Sequence, residues 1–298
     1  MKQKVERHYE SAEWARISYH LEQKGYILLG EHYSSSFEEF ETLLTSWNIN
    51  SSQYIFGQSP RKKLSSSIYT ATEYPATEAI PLHQELSYST HAPRYLFFYC
   101  RTPAQVGGET PLLDCSWLLN EAPSHLIQPF LDKGLRYHKN MPYRGGIGKT
   151  WPAHFETNDR LVVEQYLTKN NIQFQWNKDE SLSTQHYQKA TRTHPDLQQK
   201  VWFAQPSLWH ISHLGERGTF LQQRFPTAKL PIHVTYGNGE EIPQQNIERL
   251  RSWKLENAVF FQWRSNDLLI IDNWRIAHGR TPFAGQRDHW VAMGSSTA

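Results

Sequence analysis

Cysteine is nearly absent from this chain of 298 residues: Cys100 and Cys115 are the only two. That is too few for a disulfide framework or a thiolate metal site, and both read as buried free thiols in a reducing compartment. An excess of either charge is missing too. Net charge is +2 with 20% charged residues, and no basic run alternates with aromatics, so there is no electrostatic case for nucleic acid. No stretch approaches the roughly 18 consecutive apolar residues of a membrane span. The segment Met1 to His8 lacks the apolar run of a signal peptide. The expectation is a soluble, cytoplasmic protein with no membrane or nucleic-acid partner. No repeat, low-complexity tract or linker divides the sequence, so residues 1–298 read as one domain.

Aromatic residues are plentiful, with 11 Trp and 15 Tyr, as a large β-rich core or an aromatic-lined pocket requires. Residues 10–24 carry Trp14, Ile17 and Leu21 at helical spacing, with Gly25 as a stop. Tyr26–Leu29 reads as a buried strand. A second helix follows the serines at 34–36, with Phe37, Phe40, Leu43 and Leu44 on one face. Residues 50–80, rich in Ser, Thr and Pro, predict loops and short strands. Arg94–Cys100 is the clearest strand, bounded by Pro93 and Pro103. Residues 115–130 read as a helix. From about 138 to 200 the pattern degrades, which predicts an insertion and candidate lid. A helix is expected from Glu240 to Trp253, and strands over 259–263, 268–272 and 289–293. Many short strands without strand–helix alternation predict a mainly β fold with flanking helices and a jelly-roll or cupin-type core.

The stretch Ile80-Pro81-Leu82-His83-Gln84-Glu85-Leu86 is the first with a chemical signature. On an extended strand His83 and Glu85 project to the same face. An imidazole and a carboxylate so placed are two-thirds of a 2-His-1-carboxylate site, which holds one side of an octahedral Fe(II) and leaves positions open. With 15 His in the chain such a pair also arises as two residues on a solvated face, so a second His and an anion-binding Arg are needed. Both occur far downstream, in Asp272-Asn273-Trp274-Arg275-Ile276-Ala277-His278-Gly279-Arg280-Thr281-Pro282-Phe283-Ala284-Gly285-Gln286-Arg287. A barrel can bring an early strand beside a late one. His278 ends a buried run before a turn, and Arg287 opens the next strand, where it could pair bidentately with a carboxylate.

With Gly107-Gly108-Glu109-Thr110-Pro111 between them, these segments resemble the TauD/TfdA group of Fe(II)/2-oxoglutarate-dependent dioxygenases, and within it the SyrP-like branch. The resemblance runs from about residue 80 to residue 294 and includes Val201-Trp202-Phe203 and the stretch from Leu230 to Pro243. It implies a double-stranded β-helix with iron on His83, Glu85 and His278. It further implies 2-oxoglutarate held through its distal carboxylate by Arg287 and Thr110, with O2 as co-substrate. The chain departs from the branch at Phe203-Ala204-Gln205, on the substrate side of the pocket, and at Asn238-Gly239. Arg280 reads as structural. Asp272 and Asn273 read as turn residues, since a fourth protein ligand would occupy a position that oxygen needs. His91, His138, His210, His213 and His289 carry no ligand role.

The chemistry so implied is decarboxylation of 2-oxoglutarate coupled to attack on an unactivated C–H bond. Halogenases of this kind replace the carboxylate by a small residue; Glu85 therefore favours hydroxylation. Desaturation, epoxidation and cyclisation stay open. The resemblance implies an amino acid or amino-acid derivative of secondary metabolism as the small-molecule substrate, free or attached to a carrier protein. The region 138–176, with Arg144, Lys149 and Trp151, is expected to supply part of the pocket, although Arg144 reads more readily as a surface residue. Two other classes compete: a non-catalytic barrel that binds a metal or ligand, and a Zn-type hydrolase, which would have no use for Arg287 and Thr110.

Overall fold

Residues 5–9, 13–31, 34, 36–51 and 61–296 are described by a computed structural model. The expected opening of the first helix at residues 10–12, Ser35 of the serine cluster, and residues 52–60 of the Ser/Thr/Pro-rich stretch lie outside them. The frame is a seven-stranded sheet. Its order is Arg7–His8, Tyr26–Leu29, Leu268–Asp272, Tyr95–Thr102, Asp288–Ser296 and Ile49–Ser51, with Ile68–Thr70 also paired to Asp288–Ser296. All its pairings are antiparallel except that of Arg7–His8 with Tyr26–Leu29.

Period-two alternation gives this sheet two apolar faces. Ile27, Leu29, Phe97, Tyr99, Leu268, Ile270, Trp290 and Ala292 pack against the N-terminal helices Trp14–Lys24 and Phe37–Ser46. Leu28, Leu96, Cys100, Leu269, Ile271 and Met293 pack the other way, onto Leu112, Phe261, Trp263 and Ile276. Both cysteines are free and buried. The first helix stops at Gly25, whose left-handed φ of 76° closes the last turn with an N–H bond to the Leu21 carbonyl. Ser36 caps the second by accepting from the Glu39 N–H at 3.3 Å.

The opposite side is built from two smaller sheets. One has four strands in the order Gln173–Trp176, Leu182–Gln188, Leu135–Met141, Ile232–Tyr236. The other has three: Ile80–His83, Ile276–Arg280 and Leu112–Asp114. Helices Cys115–Glu121, Ser124–Lys133 and Gln244–Glu256 share their apolar cluster, which contains Leu82, Tyr137, Trp202, Val234 and Leu250. The result is mainly β with flanking helices, a double-stranded β-helix.

Three local expectations are revised. The helix expected over 115–130 is two helices, broken at Ala122-Pro123, where the cap residues adopt extended backbone. The strand expected over 259–263 reduces to one bridge, Val259 to Leu112; its alternating rings Phe261 and Trp263 are core side chains on irregular backbone. The segment 138–200 contributes strands Leu182–Gln188 and Gln173–Trp176 to the four-stranded sheet, together with helices Trp151–Phe155 and Arg160–Lys169. Its edge strand was illegible because residues on both faces are exposed, as in Gln173-Phe174-Gln175, so no apolar alternation marks it.

The serine-rich tract before the site is tied to the second helix through one carboxylate. Glu41 Oε1 accepts from the hydroxyls of Ser65, Ser66 and Ser67 and from the Ser67 N–H at 2.6–3.0 Å. Partial burial opposes ionisation, but these donors outweigh it and hold the carboxyl down to about 2, from an ordinary 4.5. A depressed pKa contributes stability that is complete above the unfolded value and is lost as pH falls through the folded one. Urea midpoints measured from pH 6 to pH 2 should therefore decline below about pH 4.5. In Glu41→Gln that part of the decline should flatten.

Candidate metal centre and co-substrate pocket

One ladder register assembles the centre. His278 lies directly opposite His83 on one side and Leu112 on the other. The strand Ile276–Arg280 thus carries the late histidine into the gap between the H-x-E segment and the strand that follows Thr110. Close approach is possible because residue 279 is glycine: a Cβ there would lie 2.5 Å from the Ile80 carbonyl oxygen. His83 ends its strand, and Glu85 sits just beyond it at the start of a turn in which Leu86 takes φ 54°. The shared face expected from strand alternation is therefore reached through a turn.

Ligand atoms of His83, Glu85 and His278 all lie within 4.8 Å of one another, and the three residues are 8%, 4% and 4% exposed. No other such group exists among the described residues. The imidazole rings stand 4.4 Å apart, with Phe98 5.2 Å from His278. His83 Nδ1 is 2.9 Å from the Pro81 carbonyl, to which its N–H donates, so Nε2 is left as the free ligand atom. Burial pushes the His83 imidazole below its ordinary value against the pull of Glu85. Burial, then His83 and Arg61, push His278 well below. Both rings are neutral at physiological pH, the form that binds a metal. His278 Nδ1 is buried without a hydrogen-bond partner in the protein. Two neutral imidazoles and one carboxylate form the N,N,O set suited to Fe(II) with open positions.

The carboxylate is held from two sides. Arg61 Nη2 donates to Glu85 Oε2 at 2.6 Å, with both side chains almost wholly buried. Asn273 fixes the backbone: its Oδ1 accepts the Glu85 N–H at 2.6 Å, and its Nδ2 donates to the carbonyls of Glu85 and Pro93. Asp272 binds no metal ligand. It accepts from Arg94, from His194 and from the Trp274 N–H. The reading of 272 and 273 as supporting residues holds, but Arg61 was missed. It lies in a Ser/Pro-rich tract with no periodicity to give its side chain a direction.

Arg287 and Thr110 line a small cavity that also touches His83, Phe98, His278 and Arg61. Two left-handed glycines shape its rim: a Cβ on Gly107 would lie 2.2 Å from the Pro282 carbonyl oxygen, and one on Gly108 2.9 Å from Ala104. Thr110 Oγ1 accepts from the Trp263 indole at 3.0 Å, which leaves its own hydroxyl proton to donate. Arg287 has a buried Nε without a partner and makes no salt bridge among the described residues. Burial, then Arg280, lower its guanidinium to about 10. Arg280 is instead spent on the carbonyls of Tyr74, Pro75 and Glu78, in keeping with its structural reading. A half-buried guanidinium with an orphaned, buried Nε suits an anion from outside the protein.

A larger cavity of about 310 Å³ also touches His83 and Glu85 and includes Tyr88, Lys139, Gln205 and Trp209 in its wall. From the region 138–176, Lys149 reaches this wall. Trp151 is instead core, at 1% exposure, and Arg144 lies on the surface over Tyr143. Gln205, in the departing Phe203-Ala204-Gln205 segment, donates to the Gln84 carbonyl. Among the set-aside histidines, His91 bonds Asn170, His138 bonds Thr235 and His210 bonds Ser212.

Fold and site together define an Fe(II)- and 2-oxoglutarate-dependent oxygenase, an oxidoreductase that also consumes O2. The family model "Taurine catabolism dioxygenase TauD, TfdA family" matches residues 5–293, and the chain belongs to that family. It is 34% identical over 275 residues to the dapdiamide synthesis protein DdaC of Enterobacter agglomerans, covering 92% of this chain and 83% of that one. Among solved structures it is similar to PvcB, an Fe, alpha-ketoglutarate dependent oxygenase from an isonitrile synthetic pathway. There the TM-score is 0.52 at 14% identity, over 95% of this chain and 80% of that one. It is also similar to an asparagine oxygenase in complex with Fe(II), 3-hydroxyasparagine and succinate. There the TM-score is 0.57 at 9% identity, over 94% and 78%. No helix among the described residues is long and apolar enough to cross a membrane.

Replacing a residue that holds a ligating group typically costs 10–100-fold in metal affinity. Arg61→Met should weaken binding of Fe(II), or of Mn(II) as a surrogate, by about that factor in an anaerobic titration. Lys62→Met, on an exposed neighbour, should leave the affinity unchanged.

Proposed function

We propose that this protein hydroxylates an unactivated C–H bond of a small amino-acid-derived molecule in secondary metabolism, with iron on His83, Glu85 and His278 and 2-oxoglutarate on Arg287 and Thr110. The observation that carries this reading is the Arg287 guanidinium, with an orphaned Nε and no ionic partner among the described residues, in one cavity with Thr110, His83 and His278. A metal-binding barrel without a co-substrate has no need of such a cation. A dicarboxylate could fill open positions of a metal held by His83, Glu85 and His278 with one end and accept from the Arg287 guanidinium with the other.

Bound iron supplies the activation of O2; the residues of this chain bind, orient and exclude water. Arg287 and Thr110 orient the distal carboxylate. Arg61 and Asn273 keep Glu85 on the ligand face. The retained carboxylate of Glu85 favours hydroxylation, since a halide would need the coordination position it takes. The substrate class is supported by relatives named for dapdiamide synthesis, for an isonitrile pathway and for asparagine oxygenation. The region 138–200 forms the substrate-side wall of a single oxygenase domain, supported by Lys139, Met141 and His154 in that wall.

The test is anaerobic addition of Fe(II) and 2-oxoglutarate to the apo-protein, read by the weak visible charge-transfer band of the chelate. The band should require both additions. Glu85→Ala should abolish it. Arg287→Ala should raise the 2-oxoglutarate concentration for half-saturation at least about tenfold, the loss of a charge-assisted carboxylate contact. No band in protein shown to bind iron would overturn the proposal.

A further inference from the structure

We propose that Lys139 is the anion anchor of the substrate cavity, and that the substrate is a small carboxylate whose nitrogen is acylated or amidated rather than a free ammonium. This rests on the oxygenase reading above and names the substrate class of that site.

Lys139 lies on the strand Leu135–Met141, between Leu182–Gln188 and Ile232–Tyr236. Its side chain enters the cavity that His83 and Glu85 also line. Nζ is 3.2 Å from His154 Nε2 and 5.3 Å from the ring centres of both Tyr88 and Trp209. Aromatic faces at that distance favour a cation. An ammonium has three donors, and His154 takes one. No carboxylate among the described residues forms a salt bridge with Lys139; the carboxylate on this wall, Glu85, belongs to the metal group and is paired with Arg61. Burial, then the Lys149 ammonium, lower the Lys139 amine to about 7. A carboxylate seated against it would restore its charge.

The census of the wall sets the other end of the specificity. Its charged side chains are Glu85, Lys139 and Lys149. A free amino acid would bring an ammonium into a cavity with two cations and no available carboxylate, and would leave that charge unpaired. Acylation of the nitrogen removes the conflict and keeps the carboxylate for Lys139. The apolar wall of Ile80, Met141, Leu208 and Ile232 suits the remaining aliphatic body.

The test uses the full chain, free of metal, and saturation-transfer NMR on three pools: the N-acetyl-L-amino acids, their methyl esters and the free L-amino acids. At least one N-acetyl acid should bind. Its methyl ester and its parent amino acid should bind at least about tenfold more weakly, which corresponds to 1.4 kcal/mol. Lys139→Met should lose binding by the same factor, while Lys139→Arg, which keeps the charge, should retain it within about threefold. Absence of binding from the acid pool, equal binding of the ester, or undiminished binding by Lys139→Met would each overturn the proposal. The readout needs no iron, so the two proposals fail separately. A normal chelate band without acid binding removes only this inference. Acid binding without a chelate band removes the oxygenase reading.

Discussion

The register of one short ladder governs this molecule. With His278 opposite both His83 and Leu112, the strand Ile276–Arg280 fixes two of the proposed metal ligands to each other and sets the position of Thr110 two residues ahead of Leu112. A slip of one residue would turn His278 to the other face. The rest of the chain defends that register. Gly279 admits the neighbouring backbone, Asn273 ties the turn after the late sheet strand to the Glu85 backbone, and Asp272 gathers Arg94 and His194 behind it.

Charge is distributed around the centre with unusual economy. The Glu85 carboxylate has one buried cation, Arg61. Arg280 is consumed by three backbone carbonyls. Arg287 and Lys139, in the walls of two cavities that both include His83, form no salt bridge with a carboxylate among the described residues. Partly buried cations without an ionic partner are costly, and two of them in cavities that share His83 suit two anionic ligands, as proposed above. The two proposals divide those ligands: the co-substrate at Arg287, the substrate at Lys139.

Much of this was legible in the sequence, for reasons that differ by residue. Tyr95–Thr102 and Leu268–Asp272 declared themselves because both faces of the large sheet are covered, so the runs 96–100 and 268–271 carry no charged residue. His83, Glu85, His278, Thr110 and Arg287 declared themselves through motif and resemblance, which need no periodicity. Arg61 could not be found this way: its direction is set by a tract held through Glu41 and by a partner brought close only in the fold. Lys139 was hidden in the segment where pattern failed. It sits on a strand whose neighbours His138 and Asn140 are also polar, so nothing in the sequence tells an inward lysine from an outward one. Arg144, the more conspicuous cation, faces solvent. Phe261 and Trp263 misled in the opposite sense, since alternation reports burial and not ladder pairing.

The placement of the two halves of the centre at opposite ends of the chain also constrains how the protein matures. His83 and Glu85 leave the ribosome long before His278, and the strand Asp288–Ser296, which pairs with Tyr95–Thr102 in the large sheet, follows later still. A topology of such high contact order cannot complete its core until that late strand has been made. Until then the nascent chain holds two of the three residues of the proposed iron site and lacks Arg287, the proposed anchor of the co-substrate. Competence for oxygen chemistry arrives together with the closed barrel that shields it.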